Sequence, residues 1–149
     1  MHEHSLTDDP TVAVLHEEAF TSLFDDLEKK TNLQRQFLSR LKDALESSTP
    51  ETYVEKPFQG VDNVVQFRAG DVMRGYCVFS NEVPSYNIFY FLEITDHDYD
   101  AYPVAKYDRK AESVLEEMQK LASESRVEDY LRSRNALYTE NVNSLLEQL

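Results

Sequence analysis

Residues 61–95, VDNVVQFRAGDVMRGYCVFSNEVPSYNIFYFLEIT, decide the fold of this chain. Three runs within them, VVQFR, MRGYCVFS and YNIFYFLEIT, are rich in Val, Ile, Phe and Tyr, the residues that suit a pleated, half-buried surface. AGD and NEVPS separate the runs, and both carry turn residues. Connections this short leave no room for a crossover, so the runs are expected to pair antiparallel as a meander. The last run is apolar on both faces and is expected at the centre of the sheet.

Upstream, residues 11–15 read TVAVL, a short β-branched strand bounded by Pro10 and an acidic pair. Over residues 17–30 the period changes: Ala19, Phe20, Leu23, Phe24 and Leu27 follow the spacing of an amphipathic helix. Its acidic residues lead and its lysines trail, as the helix dipole favours. Asn32 is placed to cap a second helix over residues 33–47, with Phe37, Leu38, Leu41, Ala44 and Leu45 on one face. Only Thr31 and Asn32 link the two, which predicts an antiparallel hairpin. SSTP ends the second helix, and Pro50 and Pro57 bracket an irregular connection.

Downstream, DHDYDAYPVAKY is expected to add a short strand at residues 102–105. Asp108 is placed to cap a helix reaching about residue 123, with Ala111, Val114, Leu115, Met118 and Leu121 inward. A final helix over residues 127–149 repeats the pattern with Val127, Tyr130, Leu131, Leu137, Tyr138, Val142, Leu145 and Leu146. The fold class is therefore α+β: an N-terminal strand and helix hairpin packed on an antiparallel sheet, then C-terminal helices. The expected division is a flexible N-terminus at residues 1–9, a domain at 10–106 and a helical extension at 107–149.

Composition narrows the function. With 149 residues, 41% hydrophobic and 29% charged, the chain has the balance of one globular domain with its own core. A formal net charge of −13 repels phosphate, which argues against non-specific nucleic-acid binding unless a local basic patch or high salt intervenes. The charge reads either as an ordinary solvated surface or as adaptation to a salty, halophilic cytoplasm. Cys77 is the single cysteine, so intramolecular disulfides and multi-cysteine zinc sites are excluded, and its apolar setting marks a small buried hydrophobe. The opening MHEHSLTDDP has no signal-peptide pattern, and no stretch approaches the ~18–20 apolar residues of a membrane span. The expected location is the cytoplasm, with no membrane partner.

Metal and cofactor signals are weak. His2 and His4 form an H-x-H pair with no further ligand in view. Asp96, Asp98 and Asp100 alternate as in a calcium loop, but Ala101 and Tyr107 stand where an EF-hand needs its glycine and its glutamate. Neither a metal nor a cofactor is expected. G-x-S-x-G, P-loop and H-E-x-x-H patterns are absent from the sequence.

Three segments give residues 11–102 a family likeness. TVAVLHEEAFTSLFDDL is similar to a first strand and helix, and FRAGDVMRGYCVF to an arginine, a Gly-Asp turn and a second arginine entering the next strand. IFYFLEITDHDYDAY is similar to a hydrophobic strand ending near a histidine, with a tyrosine five residues on. Together they resemble the RelE/ParE toxin superfamily of toxin–antitoxin operons, whose fold packs a helix hairpin on one face of a sheet. Many relatives in the RelE branch cut mRNA in the ribosome without metal, by attack of the 2′-hydroxyl on the adjacent phosphate. That chemistry needs proton acceptors and donors, and cations for the developing charge.

The resemblance implies a catalytic set of Arg68, Arg74, His97 and Tyr102 on the sheet face away from the hairpin, a ribosome or mRNA target, and an antitoxin partner. Strand alternation predicts Met73, Cys77 and Phe79 on the core side, and Val72, Arg74, Tyr76 and Val78 on the open side. Two positions depart from the pattern: Asp98 follows His97 where relatives commonly carry a basic residue, and Arg74 lies one residue further from Arg68 than the motif has it. The alternative is a non-catalytic interaction module on the same fold. The C-terminal helices, which include Arg126, Arg132 and Arg134, must bury their apolar stripe, at roughly 25 cal/mol per Å², against this sheet, a second copy or a partner.

Overall fold

The meander forms as the turn residues dictate. In the computed structural model, which describes residues 9–56, 61–96 and 101–149 (101–105 by backbone alone), β3 (Val65–Ala69), β4 (Met73–Ser80) and β5 (Asn87–Thr95) pair antiparallel in succession. Gly70, with φ of 81°, supplies the left-handed backbone of the β3–β4 turn. The first strand β1 (Thr11–Leu15) lies parallel to β5, from Thr11 opposite Asn87 to Leu15 opposite Phe91. A two-residue strand β2 (Val54–Glu55) closes the far edge, giving the order β1-β5-β4-β3-β2 with the doubly apolar β5 inside the sheet, as expected.

Helices cover both faces. On the first lie α1 (Glu17–Thr21), a π-helical segment (Ser22–Asp26), α2 (Thr31–Glu46) and α5 (Thr139–Glu147). Leu23, Phe37, Leu38, Leu41 and Val142 from these segments meet Phe67, Met73, Cys77, Phe89 and Phe91 of the sheet. On the second face lie α3 (Ala101–Gln119) and α4 (Glu124–Ser133), whose Tyr107, Ala111, Val114, Met118, Val127 and Leu131 meet Tyr76, Val78, Ile88, Tyr90 and Leu92. The molecule is thus an α+β domain of three layers.

A bulge joins the two layers to the sheet's parity. Tyr76 stands opposite Glu93 but Cys77 stands opposite Phe91, so Leu92 is an extra residue on β5. Before the bulge Phe89 and Phe91 face the α2 layer; beyond it Ile94 takes that side. Without the slip, the apolar residues at the two ends of β5 would not share a face.

Several local expectations are corrected. The helix foreseen over residues 17–30 widens at Ser22 and ends at Asp26. Lys30, not Asn32, precedes α2, and Thr31 and Asn32 lie in its first turn, with no side-chain cap bond. The irregular connection carries a 3-10 turn (Pro50–Tyr53) and β2. Residues 102–105 are helical, because α3 starts at Ala101, where Pro103 fits the first turn. Asp108 therefore lies inside α3 rather than at its cap, and the helix runs across residues 106 and 107. The last predicted helix is split: Asn135, with φ of 54°, follows α4, and Leu137 then pairs with Ala13 of β1 through two backbone bonds of 2.7 and 3.0 Å. Residues 1–8, with His2 and His4 and most of the expected flexible terminus, lie outside the described residues.

Candidate functional site

Arg68 and Arg74 stand directly opposite each other on β3 and β4. They meet different fates. Arg68 is exposed and approaches Glu55 of β2 at 3.8 Å. Arg74 is only 3% exposed: the expected alternation of β4 holds, with Tyr76 and Val78 on one face and Met73 and Cys77 on the other, but the face of Tyr76 is covered and not open. Its Nη1 donates to the carbonyls of Gly70 (3.3 Å) and Met73 (3.0 Å), and its Nη2 to that of Asp71 (3.1 Å). The left-handed Gly70 turns these carbonyls into an arc, and the guanidinium fills it. Its Nη donors are taken by the backbone while its buried Nε has no partner among the described residues, and through these bonds Arg74 braces the β3–β4 turn.

The other two sequence-predicted residues are not brought to this pair by any described contact. His97 lies outside the described residues, as do Asp98 and Asp100. Tyr102 belongs to the first turn of α3. Tyr76, expected beside Arg74 on an open face, is fully buried beneath the α3–α4 layer. Cys77 is buried as expected, and burial pushes its thiol far above the ordinary range, so it is no nucleophile.

A polar cluster that sequence reasoning missed sits where β1 and β5 end. The Glu93 carboxylate, at the bulge, accepts from Ser22 Oγ of the π-helical segment (2.6 Å), from its neighbour's amide at Ile94 (2.8 Å) and from Tyr107 Oη of α3 (3.3 Å). One side chain thereby ties the helices of opposite layers to the strand between them. Close by, Lys110 Nζ contacts His16 Nε2. An ammonium only donates, so Nε2 accepts and the imidazole is neutral with its proton on Nδ1. Burial, then the Lys110 charge, lowers the His16 pKa below its ordinary value against the pull of Glu18, Glu17 and Glu93. The signal in the sequence was Glu93 itself, the one charge within IFYFLEIT.

Asp108 makes a similar tie. Its carboxylate accepts from the amides of Asn63 (2.7 Å) and Val64 (3.0 Å) and from Asn63 Nδ2 (3.3 Å), pinning the approach to β3 onto α3. Burial alone would raise its pKa, but these donors outweigh burial and hold the carboxyl below its usual range.

Among the surface depressions of the described residues, two adjoin the connection between α4 and α5. An apolar groove of about 240 Å³ is lined by Leu15, Phe20, Phe24, Leu137 and Leu145, with Arg134 and Asn135 at its edge. Phe20 is 52% exposed, the most exposed large hydrophobic residue described, and its ring packs 4.8 Å from that of Phe24. A larger cleft of about 450 Å³ has a polar lining, in which Tyr86, Glu128 and Tyr138 converge. Among the described residues no group of three or more His, Cys, Asp or Glu is placed to hold a metal, and no helix is long and apolar enough to cross a membrane. The chain matches no family model, no curated protein and no solved structure.

Proposed function

We propose that this chain is a non-catalytic, RelE-like interaction module of an acidic, salt-tolerant cytoplasm. The observation that carries the reading is the commitment of Arg74: it is buried and engaged by three backbone carbonyls, so the central cation of the implied catalytic set serves the turn. The α3–α4 layer over Tyr76 and Val78 supports it, since the resemblance would leave that face open for substrate. The half-exposed Phe20 beside an apolar groove supplies the other half of the reading, a surface suited to a partner.

The test is inducible expression with mapping of mRNA ends, beside partner capture by the wild type and a Phe20→Asp variant. The module reading expects normal growth, no new mRNA ends, and a captured protein lost on Phe20→Asp while the fold persists. Growth arrest with new mRNA ends that disappear in an Arg68→Ala, Tyr102→Phe variant overturns it.

That outcome belongs to the second reading, a toxin-like, metal-independent endoribonuclease or translation inhibitor acting through Arg68, Arg74, His97 and Tyr102. The direct cross-strand pairing of Arg68 and Arg74 favours it, because it places two cations side by side on one sheet face. In that case the partner is an antitoxin, and the α3–α4 layer must move to admit RNA.

A further inference from the structure

The two depressions share a wall. Asn135 lines both: the apolar groove opens on the side of Leu137 and the polar cleft on the side of Tyr138. The left-handed turn at Asn135 and the pairing of Leu137 with Ala13 hold this wall against β1. Successive side chains of the α4–α5 connection are thereby dealt alternately to one depression and the other, as in any extended segment.

The cleft is polarised toward one carboxylate. Tyr86 Oη donates to Glu128 Oε2 at 3.2 Å, and Tyr138 lines the same cleft. A carboxylate only accepts and a phenol has one proton, so the Tyr86 proton is committed to Glu128. Glu128 forms no ion pair among the described residues, whereas Arg132, the cation of the cleft, is held by Asp129 at 2.9 Å. One helical turn earlier, Glu124 accepts from Ser85 Oγ at 2.7 Å, which adds a second carboxylate on the side of α4 that meets the β4–β5 loop. The exposed surface of α1 and the π-helical segment beside the groove carries Glu17, Glu18, Asp25 and Asp26. The cleft thus offers hydroxyls, an amide and a carboxylate without an ion pair to a cation, next to an apolar slot whose one charged lining residue, Arg134, is engaged by Glu117 at 3.7 Å.

We propose that these depressions form one bipartite docking surface for a basic protein segment, which seats an apolar side chain against Phe20 and Phe24 and a cationic side chain against Glu128 and Tyr138. Charge complementarity selects the occupant: a chain of net charge −13 repels an acidic partner or a nucleic acid and attracts a basic segment. The proposal rests on the interaction-module reading and names the chemistry of the partner.

The test is an amide-resolved NMR titration of the full chain with three small probes: N-acetyl-arginine amide, its neutral isostere N-acetyl-citrulline amide, and N-acetyl-leucine amide. The arginine probe should shift the Tyr138 and Asn141 signals saturably, with citrulline weaker by about twofold to fivefold, the scale of one partly exposed ion pair. The leucine probe should shift Leu15 and Leu137. Glu128→Gln should weaken the arginine probe alone, and Phe20→Ala the leucine probe alone, with signals elsewhere unchanged in both variants. Should Glu128→Gln fail to fold, Tyr138→Phe serves in its place, because it removes a hydroxyl and keeps the ring. Equal binding of citrulline and arginine, linear shifts that do not saturate, or shifts that instead follow protein concentration and so report a second copy in the groove, would each overturn the proposal. Selective probe binding without any cellular partner would leave the surface standing and sink the module reading. Partner capture indifferent to both variants would do the reverse.

Discussion

The two faces of the sheet are built on different physics. Against α2, Phe37, Phe67, Phe89 and Phe91 interlock, with Phe37 and Phe67 both near edge-on to Phe91 at 5.3 and 5.4 Å. Gly75 makes room for that ring: a Cβ there would lie 2.7 Å from Phe91 Cε1. Against α3 and α4 the aromatic residues are tyrosines, and polar ties at Glu93, Asp108 and Glu128 link helix to strand or loop. The first face is held by interlocked phenylalanine rings, and the second by an aliphatic and tyrosine core to which a few directional bonds are added. Dense ring packing is most sensitive to loss of a whole ring, whereas each directional bond can be removed with a single atom.

The comparison breaks first at the phenylalanines, if it breaks at all. Phe91→Ala should cost about 3–5 kcal/mol in urea unfolding, the scale for deleting a buried ring, and a loss below that of any polar variant named here would refute the contrast. Gly75→Ala should cost about 1–3 kcal/mol by overpacking, and less in a Phe91→Leu background, because the clash is with that ring.

Across the sheet, Asp108→Asn should cost about 1–3 kcal/mol, since it removes a charged acceptor from two amides. The sign of its pH dependence follows from the lowered carboxyl pKa: the unfolded chain takes up the proton first, so the stabilisation is full above the ordinary carboxylate range and fades as pH falls through the folded value. The variant should flatten that acid limb. Tyr107→Phe, which frees one Glu93 oxygen, should cost about 0.5–1.5 kcal/mol. The smallest effect belongs to His16. Its lowered pKa means that the unfolded chain binds more protons below about 6.5, so stability declines as pH falls from there toward the folded pKa, and His16→Gln should erase that slope.

The same contrast explains what was legible in the sequence. β1 and β3–β5 are legible because β-branched and aromatic runs between turn residues have few other uses, and the α2 stripe from Phe37 to Leu45 reads directly as a buried face. The covering of the second face was not legible. Periodicity announces that α3 and α4 have an apolar stripe, but not that the sheet residues beneath it belong to this chain. Arg74 misled for a related reason: alternation assigns a side chain to a face, and a long guanidinium can fold back to its own turn once a left-handed glycine presents the carbonyls. β2 is two residues long and leaves no pattern to find. The tie at Glu93 was within reach, because a carboxylate inside an apolar strand requires donors from somewhere.

The pairing of Ala13 with Leu137 also sets an order of events during synthesis. β1 is translated well before its partners: its neighbour on one side, β5, emerges much later, and its cover on the other side comes only with Leu137. Until then TVAVL is a nascent apolar strand with two bare edges, the kind of segment that recruits other chains. A ribosome stalled after β5 but before residue 137 leaves one edge still open. The α4–α5 connection is the clasp that ends this exposure, so a chain cut short there should be found in aggregates and cleared by proteases.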